Sequence, residues 1–108
     1  MIVYEVNIEV REAAYADYRA WLVRHVEEML ALPGFLAAET FERRDPPPTN
    51  GTRALVVHYR LVNEPALQRY LDEHAARMRE EGLRRFGDAF SATRRVLAVA
   101  APSAPNHA

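Results

Sequence analysis

The chain contains no cysteine and no lysine, a single tryptophan, and only two serines, Ser91 and Ser103. Without cysteine there is no thiolate nucleophile, no disulfide and no thiolate zinc site. Without lysine no Schiff base can form on a side chain. Neither serine lies in a G-x-S-x-G turn, which argues against a Ser-His-Asp hydrolase. All 14 basic residues are arginine and are balanced by 15 acidic ones, for a net charge of -1. That balance favours neither a nucleic-acid nor a membrane partner. The opening "MIVYEVNIEV" lacks a basic region before an apolar run, and no later stretch is long enough to span a bilayer, so the expected location is cytoplasmic.

The hydrophobic pattern is informative. "IVYEVNIEV" alternates with period two, with Ile2, Tyr4, Val6, Ile8 and Val10 on one side and Val3, Glu5, Asn7 and Glu9 on the other. From Glu12 to Leu32 the period becomes helical, and Tyr18, Trp21, Leu22, His25, Met29 and Leu32 form one stripe, stopped by Pro33 and Gly34. "FLAAETFERR" reads as a second strand, "DPPPTNG" as a loop, and "RALVVHYRLV" as a third strand. Asn63 is placed to cap a second helix with the stripe Leu67, Tyr70, Leu71, His74 and Met78, continuing past Gly82 to a stop at Gly87. "FSATRRVLAVA" closes the order as a fourth strand.

The order βαββαβ predicts an α+β ferredoxin-like sandwich, a four-stranded antiparallel sheet with two helices on one face. One such domain is expected over residues 1–100, with a flexible tail at 101–108 that holds His107. A repeat accords with two βαβ halves. "WLVRHVEEM" and "YLDEHAARM" align at an offset of 49, which carries Trp21, Leu22, His25 and Met29 onto Tyr70, Leu71, His74 and Met78. The bare sheet face is expected to carry Val3, Glu5, Asn7, Glu9, Ala54, Val56, His58, Arg60, Arg94, Val96 and Ala98. Its mixture of apolar and polar side chains predicts a homodimer formed sheet to sheet, closing a barrel.

The segments "MIVYEV", "W-L-x-x-H-V-x-E", "PGF" and above all "RYLDEHAARMREEGLRRFGDAF" resemble a bacterial domain-of-unknown-function family (domain of unknown function 4286), over Met1 to about Val99. The matching positions are Tyr4, Trp21, His25, Tyr70, Leu71, His74, Arg79, Glu80, Phe86, Gly87 and Phe90; Tyr18 stands where the family is associated with tryptophan. The resemblance implies membership of the dimeric α/β-barrel, ferredoxin-like superfamily and supplies no reaction. That superfamily resembles cofactor-independent monooxygenases and haem-degrading enzymes, which place an Asn, an aromatic and a His around a ligand between sheet and helices.

These residues support two readings. In the first, the protein is a homodimeric ligand-binding or interaction module, and His25 and His74 are partly buried histidines packed on Trp21 and Tyr70. In the second, it is a cofactor-independent monooxygenase-like enzyme acting on a small aromatic or haem-like ligand. The candidate catalytic residues are then His25, His74, His58 and Asn7, with Trp21, Tyr70 and Glu5 as ligand contacts. No cofactor motif is present. The helices carry no H-E-x-x-H and no histidines one turn apart, so a metal would need ligands from separate elements, such as His25, His74 and Glu73, and none is expected. The i,i+4 pairs of "DEHAARMREEGLRR" read as a solvated helix face.

Overall fold

The structure, a computed structural model, describes residues 1–101 and Ser103. Of the tail expected at 101–108, Pro102 and residues 104–108, His107 included, lie outside the described residues. The strands are β1 (Ile2–Arg11), β2 (Phe35–Glu42), β3 (Thr52–Leu61) and β4 (Phe90–Ala98). The helices are α1 (Tyr15–Leu30), α2 (Glu64–Glu73) and α3 (Ala75–Phe86), with single 3-10 turns ahead of α1 and β4. All strand pairs are antiparallel and the sheet order is β2-β3-β1-β4, which is the expected ferredoxin-like fold. Among the described residues no helix is long and apolar enough to cross a membrane.

The alternation of β1 sets up the two faces. Ile2, Tyr4, Ile8 and Val10 are buried under the helices with Leu55, Val57, Tyr59 and Leu61 of β3. From α1, Tyr18, Trp21, Leu22 and Met29 complete that core, and each such side chain stabilises the fold by about 1.5–3 kcal/mol. The internal repeat has a geometric counterpart here. In the β1–β3 register Asn7 faces Val56, its own equivalent at the offset of 49, while Val6 faces Val57 and Ile8 faces Leu55. A local two-fold axis therefore runs between Asn7 and Val56.

The halves are unequal in their helices. The second helix is broken at His74, whose φ and ψ of -128° and -29° leave the helical region, although the Tyr70 carbonyl still accepts from the His74 N–H at 2.9 Å. An unbroken α1 and a broken second helix meet the sheet differently: Leu22 is 4% exposed while its counterpart Leu71 is 38% exposed. The expected stripe through Leu71 is corrected accordingly to Leu67, Tyr70, Ala75 and Met78. Asn63 does cap α2, its Oδ1 accepting from the Ala66 N–H at 2.9 Å.

A second correction concerns β4. The register sets Glu5 opposite Arg95 and Val3 opposite Leu97, so Arg95 and Leu97 share the open face, and Arg94, Val96 and Ala98 are turned to the helix side. The residue that fixes this phase is Phe90, which packs on Tyr18 at 5.2 Å and draws the even-numbered positions of β4 toward the helices.

The turn after α1 depends on Gly34, whose φ is +85° and whose missing Cβ would lie 2.5 Å from Ala66 Cβ. Gly51 also has positive φ, +81°, but no neighbour within 4 Å. Gly51→Ala is therefore expected to cost about 1 kcal/mol for backbone strain alone. Gly34→Ala adds an overpacking cost of about 1–3 kcal/mol. Urea unfolding of the two variants checks the order, and equal losses would remove the role of the Ala66 contact.

Candidate functional site

Two clusters of polar side chains flank the sheet. The first lines a cavity of about 50 Å³ between sheet and helices. β1 supplies Tyr4, Val6 and Ile8 to its wall, β3 Val57 and Tyr59, and β4 Phe90, Ala92 and Arg94. From above, α1 adds Tyr18, Trp21, Leu22, His25 and Met29, α2 adds Tyr70, and α3 adds Met78, Arg79 and Gly82. The rings are mutually braced: Tyr18 lies 5.4 Å from Trp21 and 5.0 Å from Phe86, and Tyr4 lies 5.6 Å from Tyr70. Gly82 lets Trp21 lie against α3, since a Cβ there would stand 3.0 Å from the indole Cη2.

His25 stacks on Trp21 with centroids 4.5 Å apart and planes 20° from parallel. Burial pushes its pKa below the usual histidine value, Glu81 opposes that and Arg94 adds to it. The imidazole is thus held neutral at pH 7, with a ring nitrogen able to accept a proton. The phenols move the other way: burial raises Tyr18 and Tyr59 well above their ordinary range and Tyr70 up to about 12. They remain protonated at pH 7, as hydrogen-bonding groups rather than bases. Arg79 donates from Nη2 to the Tyr4 hydroxyl at 2.7 Å, and its Nε is buried without an acceptor.

His74 does not share this cavity. Its Nδ1 pairs with Arg77 Nη2 at 3.1 Å, and its Nε2 lies 3.8 Å from a Glu73 oxygen and is buried without a hydrogen-bond partner. The structure therefore separates the two histidines of the repeat, bringing Trp21, His25 and Tyr70 together and leaving His74 outside. Among the described residues no three His, Asp or Glu side chains are grouped to hold a metal.

The second cluster lies on the open face, where Glu5, Asn7 and His58 do come together. Glu5 is 4% exposed and accepts from Arg95 Nε at 2.6 Å and from Asn7 Nδ2 at 2.8 Å, with His58 Nε2 at 2.7 Å. The Arg95 hydrogen bond, followed by those of Asn7 and His58, outweighs desolvation and holds the Glu5 carboxyl down to about 2. The edge of Phe41 closes on the His58 ring at 5.3 Å. Further along β1, Glu9 fastens the proline loop by accepting from the Thr49 N–H at 3.0 Å and its hydroxyl at 3.2 Å, with Arg43 Nη2 at 3.5 Å.

Residue type alone did not mark Arg79, Arg94, Tyr18 or Tyr59 for the cavity. Arg79 matched the family pattern without a role, and Arg94 fell on the wrong face because its strand's phase was set by Val96 rather than by Phe90.

The sequence matches, over residues 1–100, the profile of the family described as Domain of unknown function (DUF4286). The chain belongs to this family. No curated protein matches the sequence. Among solved structures, similarity is strong in shape and low in sequence. SnoaB from Streptomyces nogalater, a cofactor-independent oxygenase, is 17% identical with a TM-score of 0.63, covering 97% of this chain and 98% of its own. The haem degrader MhuD from Mycobacterium tuberculosis, with two haems in its active site, is 17% identical with a TM-score of 0.65, covering 96% and 100%. The de novo designed protein Foldit4 is 16% identical with a TM-score of 0.60, covering 91% and 97%. At these identities the family and its neighbours share a fold, and a design shares it too.

The Glu5 cluster carries a prediction. A carboxyl whose folded pKa lies below its unfolded value contributes stability that is present above the unfolded value, 4.5, and is lost as pH falls toward about 2. Because Arg95 is largely in water, its share is screened, and we expect a loss of about 2 kcal/mol across that window. Denaturant unfolding at fixed protein concentration should show this loss between pH 5 and pH 2 as the excess of the native protein's loss over that of Glu5→Gln. Parallel pH profiles for the two would remove Glu5 from the account.

Proposed function

We propose that the protein works as a homodimer, each protomer holding a small aromatic ligand in the cavity between sheet and helices. The observation that carries this reading is the cavity itself, walled by six aromatic side chains and by a histidine held neutral. A core built only for stability is packed without such a gap and without a titratable ring beside it. The size of the cavity decides between ligand classes. Sites for drug-sized molecules have volumes of roughly 300–1,000 Å³, far above 50 Å³. A single planar ring, admitted by a cavity of roughly 150 Å³, needs this space to widen or to be shared with a neighbouring one, whereas a haem would have to part the helices from the sheet.

The dimer reading rests on the open face. Val3 with Leu97 and Val56 with Phe41 form two apolar pairs that flank the Glu5 row as a band on either side, with Phe41 and Leu97 substantially exposed. Two such sheets facing each other would bury the band and leave Glu5, Asn7 and His58 satisfied within their own protomer. The polar trio then belongs to the interface and the ligand to the other side of the sheet.

A second reading is favoured by one specific observation, the neutral His25 stacked on Trp21. Such a group can accept the proton of a phenol or enol, and the resulting anion can give its own electrons to dioxygen without a cofactor. SnoaB, a cofactor-independent oxygenase of the same fold, adds weight to this chemistry. In that reading His25 is the base, with Trp21 and Tyr70 flanking the ligand.

Native mass spectrometry of protein purified without denaturant tests the proposal. The expected result is a dimer mass with a small-molecule increment that denaturation releases. Val56→Arg is expected to weaken the dimer at least about tenfold, about 1.4 kcal/mol, and Ala92→Trp to abolish the increment while leaving the dimer intact. A monomer at micromolar concentration overturns the assembly. A dimer that takes up nothing, from the cell or from a panel of small aromatic compounds, overturns the binding reading.

A further inference from the structure

The cavity borders an outer groove, and two arginines line both. A groove of about 160 Å³ on the outside of the molecule is lined by Arg79, Leu83, Phe90, Ser91, Ala92 and Arg94. Four of these, Arg79, Phe90, Ala92 and Arg94, also line the inner cavity. The two spaces therefore adjoin across a boundary made of one aromatic ring, one methyl group and two guanidinium groups. The groove alone is on the scale of the roughly 150 Å³ cavity known to admit benzene.

Exposed arginines without partners are ordinary, and several occur on this surface. These two differ in where they stand. Among the described residues neither has a carboxylate within salt-bridge distance, and the one hydrogen bond of the Arg79 guanidinium goes to a neutral acceptor, the Tyr4 hydroxyl. Its Nε remains buried and unpartnered, a cost that structures avoid unless something else meets the donor. Arg94 projects its charge inward, for it lowers the pKa of Tyr18, His25, Tyr59 and Tyr70, groups spread over α1, β3 and α2. The one carboxylate whose charge reaches His25 is Glu81, and it pairs with neither arginine.

We propose that this groove is the mouth of the cavity and that the ligand is an aromatic carboxylate, its ring in the cavity among Tyr18, Trp21 and Phe90 and its carboxylate held at the mouth by Arg79 and Arg94. This rests on the cavity being the ligand site and adds the charge of what enters it. A planar carboxylate matches the guanidinium fork with two parallel hydrogen bonds. The apolar depth of the cavity and the cationic rim then select together: a neutral ring leaves the rim unpaired, and a bare anion leaves the rings unfilled.

The test uses the full-length protein and matched probes, benzoate against benzamide and 2-naphthoate against 2-naphthamide, at pH 7. Binding is followed by NMR through the indole N–H of Trp21, the only tryptophan. The expected result is that each carboxylate binds about tenfold tighter than its amide, and that Arg94→Gln erases this preference while Arg94→Lys restores part of it. Arg94 is exposed on an edge strand, so its substitution leaves the fold intact, whereas Arg79→Gln also removes the Tyr4 contact and serves as a second variant. Amides that bind as tightly as acids, with the Trp21 signal moving, overturn the carboxylate assignment and leave the cavity reading standing. Probes that leave the Trp21 signal unmoved in every case overturn both. An acid preference that survives Arg94→Gln and Arg79→Gln alike removes these arginines from recognition.

Discussion

Strand β1 is hydrogen-bonded along both edges, and its successive side chains point into two unlike environments. Tyr4 faces the helices and accepts a hydrogen bond from Arg79 of α3; Glu5, the next residue, faces the open side and takes Arg95 of β4. β4 mirrors this arrangement, because Arg94 borders the cavity while Arg95 reaches Glu5. Each face thus receives one arginine from an adjacent pair. A slip of one residue in the β1–β4 register would exchange them and turn Phe90 away from Tyr18, so the register is held by packing on the helix side. On the open side the ion pair of Glu5 and Arg95 contributes stability, since removing one partner of a buried charge leaves the other uncompensated.

The period of the sequence is what made the fold legible. Alternation in β1 and β3, the helical stripe of α1, and the punctuation by Pro33, Gly34 and Asn63 are local signals, and the structure obeys them. The kink at His74 was not legible, since no proline or glycine marks it and the stripe continues in spelling through Leu71. The phase of β4 was ambiguous because apolar residues occur at both parities toward its end: Val96 and Ala98 on one, Leu97 on the other. Only the packing of Phe90 against Tyr18, a contact between distant segments, resolves it. The cavity was half legible. Trp21, His25 and Tyr70 lie where a stripe would point them, but Arg79 and Arg94 come from other elements, and their convergence is a property of tertiary structure alone.

The repeat shows how a duplicated pattern comes to serve two purposes. The two-fold axis between Asn7 and Val56 makes the halves equivalent at the level of strands, where pairing leaves little freedom. In the helices the equivalence lapses. Trp21 and Tyr70 both remain buried, as do Met29 and Met78, because both halves must cover the same sheet. His25 lies on an unbroken helix and turns toward the cavity; His74 sits at the break and turns to Arg77 and Glu73. The same letter in the same phrase lines a cavity in one half and, half-buried, contacts Arg77 at the helix break in the other.

The distribution of buried surface says where the cavity could widen. Helix α1 is pinned by four buried side chains, two of them aromatic. Helix α3 contributes Ala75, Met78 and Gly82 to the buried set, of which only Met78 has a large side chain, and it leaves Leu83 60% exposed. Its C-terminal end is held by Phe86 against Tyr18 and Trp21, so the loosely held part of α3 is the stretch around Arg79 and Leu83. The helix also begins at a break rather than as a continuation of α2, so it can move without unwinding its neighbour. Gly82 rests on Trp21 and Arg79 reaches Tyr4 across the same gap, so a shift of α3 would widen the cavity and loosen the Arg79 guanidinium in one motion.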